Sequence, residues 1–561
     1  MVRPMFGVES EYAIAGVNGR EPVDHDDLAN RFVLAAGRRL PHLQDAFSAS
    51  GMFLENGARF YIDCGFHPEM TTPECTTPWE LVRYIKAGER ILEELARQVQ
   101  AEACGATEIM CFRCNVDYSG SGSTWGCHES YLHRADPATL PEQLIPHLVT
   151  RVIYTGAGGF NPLVNWPEFS VAPRLLHIQR TVSSDSTGNR GIFHTKNEPL
   201  AGDGYNRLHI LSGESLCSET AIVLKIGTTA LVAAMAEAGL KPGAGLALAS
   251  PIEALHAVSS DVTCKRKLTL AAGGEATAID IPRRLLELAE RNRGVLPSWT
   301  EAICALWRIT LDQLEGAPDS VATVLDWAIK RRLFHDRAER RGIPMERFPC
   351  LSSIIHRLNV ALAEIGVKSR GVRLSSLLAP ESPIPREVAR IGTTLAAENL
   401  SWDDVDRFLS LRDEFYQIDT RFGQIGPRGI FTELDRLGVL DHKVAAVDDV
   451  ETAMREPPAV GRAKLRGETV RRLSGQGQAF CSWMSVTDPD GRKLDLRDPF
   501  ADAEVWTDPG TPPPDLAGDL PPGVPIEDPF DDSSRFHQII FAMRGRHDRL
   551  RPRAQGPSET T

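Results

Sequence analysis

The 561-residue sequence contains no apolar run approaching the roughly 18–20 residues that a membrane span needs. It opens Met-Val-Arg-Pro-Met-Phe-Gly-Val-Glu, with no apolar stretch ahead of its first acidic residues, so no secretory signal is read there. Those two absences make a cytoplasmic protein with no membrane partner the expectation. Positive charge is in deficit as well. The 62 Lys and Arg face 75 Asp and Glu, a net charge of −13 that argues against nonspecific nucleic-acid binding. A disulfide framework is not expected, because the 11 cysteines are scattered and odd in number. Cys111-Phe-Arg-Cys114, followed by Cys127-His128, has the outward spacing of a zinc site. On a strand, however, positions three apart point to opposite faces, so packed thiols are the better reading. No internal repeat is found.

What is present is an ordinary globular composition, 42% hydrophobic and 24% charged, long enough for a large domain plus a smaller one. The first 240 or so residues alternate strand-like runs with well-marked helices. Strands are expected at Met5–Ile14, Arg59–Cys64, Glu108–Asp117, Glu129–His133 and Arg207–Leu211. Thr77-Pro78-Trp79-Glu80 reads as a capping box with proline at the first helical position. A mostly small and apolar helix is expected from about Ser218 to Ala238, stopped by Gly239. This mixture lacks the strand–helix–strand rhythm of a parallel sheet, which points to an α+β fold with a largely antiparallel sheet. Residues from about Arg283 to Leu411 read as mostly helical, and Ala479–Val486 as a late strand. The composition from Asp508 to Asp532 is that of a proline-rich acidic linker, and the arginine-bearing residues after it form a basic tail.

The chemistry concentrates in Asn56-Gly-Ala-Arg-Phe-Tyr-Ile-Asp-Cys-Gly-Phe-His-Pro-Glu-Met-Thr-Thr-Pro-Glu-Cys75. Alternate side chains of a strand share a face. Phe60, Ile62 and Cys64 then face the core, while Arg59, Tyr61 and Asp63 line the other side. A cation, a phenol and a carboxylate in one row pack poorly and suit an active-site wall. The Gly/Pro-punctuated stretch after it, read as a loop, carries Glu69, Thr72 and Glu74. Glu9-Ser10-Glu11 places two further carboxylates on one strand face. Taken alone those two are an ordinary solvated face. Together with the second segment they could converge on magnesium, a hard cation that takes oxygen ligands and suits a polyphosphate substrate.

These motifs resemble the Pup ligase and Pup deamidase/depupylase family. The resemblance rests on Gly7-Val-Glu-Ser-Glu-Tyr12, the Asn56–Asp63 segment with His67-Pro-Glu69 and Thr72-Pro-Glu-Cys75, and Lys86-Ala-Gly-Glu-Arg90. Gly126-Cys-His-Glu-Ser-Tyr-Leu132, Arg207-Leu-His-Ile210 and Lys464-Leu-Arg-Gly-Glu468 continue it. It covers about residues 1–340 and 400–500. It implies a glutamine-synthetase-like catalytic domain over 1–411, a small C-terminal domain over 412–506 and a flexible remainder over 507–561. An insertion is expected at about 342–397. It also implies ATP and Mg2+ as cofactors, a small Pup-like or ubiquitin-like modifier as partner, and lysine-bearing proteins as targets. By motif, Asp63 would be the catalytic base. Glu9, Tyr61 and Glu69 would form the magnesium site, and Arg59, Thr72 and Trp483 would contact ATP. His128 and Glu129 are left outside this set, since a histidine on a half-buried strand is more often a core residue.

The sequence departs from the family pattern in one region. Where relatives read Asn-Thr-Arg-Asp-Glu-Pro, this chain has His194-Thr-Lys-Asn-Glu-Pro199, and a doubled arginine is Asn206-Arg207 here. Arginine and lysine are not equivalent at a bidentate site. The short link from Arg38 to Met52 and the Arg497-Asp-Pro-Phe500 stretch are ligase-like. Ligation through a γ-glutamyl phosphate is therefore the expected activity, with hydrolysis of the modifier's terminal amide or isopeptide bond as the alternative.

Overall fold

Strand pairing of the first 210 residues builds the face on which the charged side chains meet. In the computed structural model, Met5–Glu11 lies between Pro68–Thr71 and Cys127–His133, both antiparallel to it. Arg59–Ile62 pairs with the far side of Pro68–Thr71, and Asn206–Ile210 with the far side of Cys127–His133. Among the described residues these five belong to a 13-stranded sheet that runs out to Arg180–Ser183 at one edge and Trp506–Thr507 at the other. Its pairings are antiparallel except Arg180–Ser183 with Gly191–His194 and Phe480–Cys481 with His42–Asp45. The α+β architecture with a largely antiparallel sheet is as the sequence led one to expect. The structure describes residues 2–509 apart from 20, 64, 103–105, 119–121, 165–166, 186–187, 199 and 365–384. Cys64, the linker after 509 and the basic tail thus lie outside the described residues.

One face of the sheet is a packed core. Phe6, Val8, Tyr131, Leu208 and Ile210 meet the helices Pro78–Glu102, Leu140–Thr150 and Glu219–Glu237 there. Ser218 caps the last of these, accepting from the Ala221 amide at 3.1 Å, and Gly239 follows at φ +76°. Contrary to the reading that no run approaches a membrane span, that helix is long and apolar enough to cross one, yet 94% of its apolar window is buried inside the protein. The expected capping box forms one residue out of place. Thr77 Oγ1 accepts from the Glu80 amide at 3.2 Å, but Glu80 takes the amide of Thr76 at 2.8 Å.

Several boundaries differ from expectation. The first strand stops at Glu11; after Tyr12 the chain joins a separate three-stranded sheet as Ala13–Asn18, beside Glu108–Phe112. The stretch carrying Glu69, read as a loop, is itself a strand, held on both sides. Ala479–Val486 is a hairpin, with Phe480–Cys481 paired to Ser485–Thr487. The boundary placed between residues 411 and 412 falls inside the helix Trp402–Phe422, and Met1–Pro509 is one compact unit. In the segment read as an insertion, Phe348–Glu364 packs with Asp326–Arg340 and Trp402–Phe422 around Phe160, Phe334 and Phe415.

Candidate active site

Direct cross-strand partners project from the same face of a sheet. The register therefore forms two rows on the open face: Glu9, Thr71 and Arg59, then Glu11, Glu69 and Tyr61. His128 stands opposite Glu9 on the neighbouring strand, with His209 one strand further opposite Ser130. The Tyr61 hydroxyl donates to Glu9 Oε1. His128 Nδ1 is 3.6 Å from Glu9 Oε2, and its Nε2 is 3.8 Å from Glu11 Oε1. Glu11 is fixed from the other side by the Gly126 amide at 2.7 Å. Within the group Glu9, His128 and His209, and again within Glu11, Glu69 and His128, the candidate ligand atoms all lie within 4.8 Å of one another.

The electrostatics set these carboxylates apart. Burial raises the Glu9 pKa, but hydrogen bonding to and the charge of His128, with the Tyr61 hydroxyl, overcome it and hold Glu9 ionised. Glu69 goes the other way, pushed well above the carboxylate range by burial and by the charges of Glu9 and Glu11. Tyr61 is likewise held neutral by burial and by Glu69 and Glu9. His209 is lowered to about 2 by burial and the nearby Arg207 cation, which keeps its imidazole neutral. Clustered carboxylate oxygens beside the neutral His209 imidazole, crowded enough that one acid is forced toward protonation, form a donor set that fits a divalent cation. Tyr61 orients Glu9 through its hydroxyl.

Glu9 also borders a cavity of about 110 Å³ at the other end of the rows, lined by Thr72, Arg207, Arg462 and Trp483. Thr72 Oγ1 accepts from the Val8 amide at 3.0 Å, which ties the cavity wall to the first strand. Trp483 is held edge-on against Phe53, centroids 5.1 Å apart, with the Arg466 guanidinium 4.7 Å from its ring. Arg462 and Arg466 are both neutralised by Glu74, at 2.6 Å from Arg462 Nε and 3.2 Å from Arg466 Nη1. Burial works against that charge, but the two arginines bring Glu74 down to about 2. Arg59 does not line this cavity. It donates to Asp45 at 2.6 Å and covers the Tyr61 ring, its carbon 4.0 Å from the centroid.

Asp63 closes the strand at the end away from the cavity. Four residues at about 3.3 Å each separate it from Arg59 by roughly 13 Å. Its Oδ1 accepts the amides of Gly65 at 2.8 Å and His67 at 2.7 Å, and His67 Nδ1 is 3.2 Å from Oδ2. Glu11, Asp63 and His67 again bring donor atoms within 4.8 Å. The structure thus joins Glu9, Thr72 and Trp483 at one cavity, sets Tyr61 and Glu69 beside Glu9, turns Arg59 to Asp45, and leaves Asp63 at the far end. His128, His209 and His67 belong to the face although the sequence does not single them out, and Glu11 joins it as the strand pattern allows. Glu129 lies on the core side, gripped by Arg151 at 2.7 and 2.8 Å.

This face offers oxygen and imidazole donors, a small aromatic cavity and a single well-held acid. An ATP-dependent ligase is the class to which fold and comparisons assign the chain. More particularly, the chain belongs to the Pup-ligase protein family, whose model matches residues 4–365 and 392–487. It is 32% identical over 519 residues to the Pup–protein ligase of Rhodococcus erythropolis strain PR4, covering 89% of this chain and 97% of that protein. The Pup–protein ligase of Rhodococcus opacus strain B4 is 32% identical over 517 residues, with the same coverage. Among solved structures, the Pup ligase PafA of the prokaryotic ubiquitin-like modification pathway in complex with ADP matches with TM-score 0.62 and 27% identity, over 86% of this chain and 92% of that one. The complex between prokaryotic ubiquitin-like protein Pup and its ligase PafA matches with TM-score 0.65 and 24% identity over 99% of both chains, a likeness of fold. The family match leaves 366–391 unpaired, inside the stretch read as an insertion.

Proposed function

We propose that the protein joins the side-chain carboxyl of the C-terminal glutamate of a Pup-like modifier to a lysine of a target protein, consuming one ATP for each bond. The observation that carries this reading is the double membership of Glu9, which belongs to the carboxylate–imidazole cluster and also borders the Trp483 cavity. A candidate metal-binding set and a small aromatic cavity, with room for part of a nucleotide, meet at that one side chain. The named relatives are ligases, which favours ligation over hydrolysis.

A carboxylate is a poor electrophile. Transfer of the ATP γ-phosphoryl to the modifier's glutamate gives a γ-glutamyl phosphate, from which phosphate can leave. The lysine nitrogen then forms the amide bond as the acyl–oxygen bond breaks, and its surplus proton must be removed. Asp63 is the proposed acceptor of that proton. Glu9, Tyr61 and Glu69, with Glu11 beside them and His128 and His209 at the border of the cluster, are the residues that would hold magnesium; when bound, it would offset the charge on the phosphates. Tyr61 keeps Glu9 oriented. Trp483 and Thr72 would contact ATP in the cavity, with Arg59 at the border of the site. The cytoplasm, where ATP is abundant, is the proposed location.

The modifier has a natural seat. A groove of about 1140 Å³ runs over Ala13, Ala15, Met110 and Phe112, with Arg412 and Arg428 at its rim. Trp125 lines it and packs on His67, ring centroids 5.3 Å apart, which brings the groove to the Asp63 end of the site.

The test is reconstitution with Mg-ATP, a lysine-bearing target, and the modifier ending in either glutamate or glutamine. Lysine conjugates with equimolar ADP release from the glutamate form are expected, and Asp63→Asn should abolish them. Deamidation of the glutamine form without ADP release would instead establish a hydrolase.

A further inference from the structure

Asp63 sits on a turn rather than within the strand, and its carboxylate is more constrained than a base on an exposed turn would need. Both hydrogen bonds to Oδ1 come from backbone amides, those of Gly65 and His67. That leaves Oδ2 as the oxygen open to an incoming proton. The one side chain within hydrogen-bonding distance of Oδ2 among the described residues is the His67 ring, Nδ1 at 3.2 Å. The turn itself is tight: Phe66 stands at φ +62° in the left-handed region, and a Cβ added at Gly65 would lie 2.8 Å from the His67 ring.

His67 is in turn held by its neighbours. Its ring meets Trp125 with centroids 5.3 Å apart on one side, and His25 at 6.1 Å, from the first turn of the helix His25–Arg39. Trp125 stands in the groove wall and is followed by Gly126, whose amide holds Glu11. The His67 ring is thus clamped against Asp63 by a residue that the groove's occupant would touch.

We propose that His67 is a positioning residue for Asp63, setting the direction of Oδ2, and that Trp125 holds His67 in place. This inference rests on the reading of Asp63 as the acceptor of the lysine proton. It assigns no proton transfer to His67.

The chemistry provides a selective test. A lysine amine must lose a proton to react, whereas hydroxylamine is uncharged at neutral pH and attacks an acyl phosphate without a base. Full-length His67→Ala, His67→Asn and His67→Gln proteins would be compared on lysine conjugation and on hydroxamate formation, with the same modifier and Mg-ATP. His67→Ala should lose about 10- to 100-fold in lysine conjugation, a part of what a general base supplies, and keep hydroxamate formation. His67→Asn places an amide nitrogen near the position of Nδ1 and should restore most of the loss, whereas His67→Gln should not. Equal losses on both nucleophiles would overturn the proposal, since His67 would then serve phosphoryl transfer or the fold. Rescue of His67→Ala by raised magnesium alone would also overturn it, making His67 a cation ligand. Asp63→Asn run in parallel keeps the two readings apart. If that variant conjugates lysine normally, the base assignment itself falls, whereas intact lysine conjugation by His67→Ala beside an inactive Asp63→Asn removes only the role given to His67.

Discussion

The Asn197 side-chain amide donates to Asn206 Oδ1 at 2.9 Å, and Asn197 Oδ1 accepts the Arg207 amide at 2.6 Å. Both asparagines stand where the family pattern set out above carries an aspartate and an arginine, and their contact couples the two positions in this chain. A single reversion, Asn197→Asp or Asn206→Arg, would introduce one charge facing a neutral partner. Exposed pairs of this kind are worth about 0.2–1 kcal/mol. A double-mutant cycle read by denaturation should give a favourable coupling of that size for Asn197→Asp with Asn206→Arg, and strict additivity would show that the side chains do not communicate.

Glu74 carries a heavier responsibility, because it is the shared counter-charge of Arg462 and Arg466, both buried. Removing one partner of a buried ion pair leaves an uncompensated charge, at a cost of about 3–5 kcal/mol. Glu74→Gln should therefore lower the denaturation midpoint and also weaken ADP binding, since Arg462 and Glu74 both line the Trp483 cavity. Calorimetry of nucleotide binding on protein shown to be folded separates the two effects. Wild-type stability in Glu74→Gln would contradict the network described.

Trp483 divides the nucleotide reading from a purely structural one. Its ring is packed against Phe53 and Arg466 and also faces the cavity. Loss of a stacking partner costs about 1–3 kcal/mol for a base, so Trp483→Ala should weaken ADP binding about 5- to 150-fold. Trp483→Phe should retain most of the affinity. Unchanged ADP affinity in the alanine variant would remove Trp483 from the site.

Much of this arrangement was readable from the residues themselves. The helix Glu219–Glu237 is marked by Ser218 and Gly239, and the open-face placement of Arg59 and Tyr61 follows from two-residue periodicity alone. What periodicity cannot supply is register between distant segments. His128 lies opposite Glu9 across a separation of more than a hundred residues, and only the pairing of Met5–Glu11 with Cys127–His133 makes it a neighbour. His209 enters through a second such pairing. The prolines and threonines of the stretch carrying Glu69 resemble turn residues; pairing on both sides overrides that local signal. His67 was visible in the motif, but its bond to Asp63 depends on a turn geometry that spacing does not reveal.

Glu214 gives the protein a pH dependence separate from its chemistry. It is buried behind the sheet and accepts the amides of Ala157 at 2.7 Å and Arg174 at 2.8 Å. Burial dominates over those hydrogen bonds and pushes its pKa from 4.5 up to about 7. The folded state therefore holds this proton more tightly than the unfolded chain does. Its contribution to stability is complete below pH 4.5, falls as pH rises through about 7, and is lost above that. The size is on the order of 3 kcal/mol. Denaturant titrations at pH 5 and pH 8 should show the wild-type protein losing more stability over that interval than Glu214→Gln, which cannot ionise. Parallel pH profiles for the two proteins would mean that Glu214 is already ionised at pH 5 and that its two amide hydrogen bonds outweigh burial.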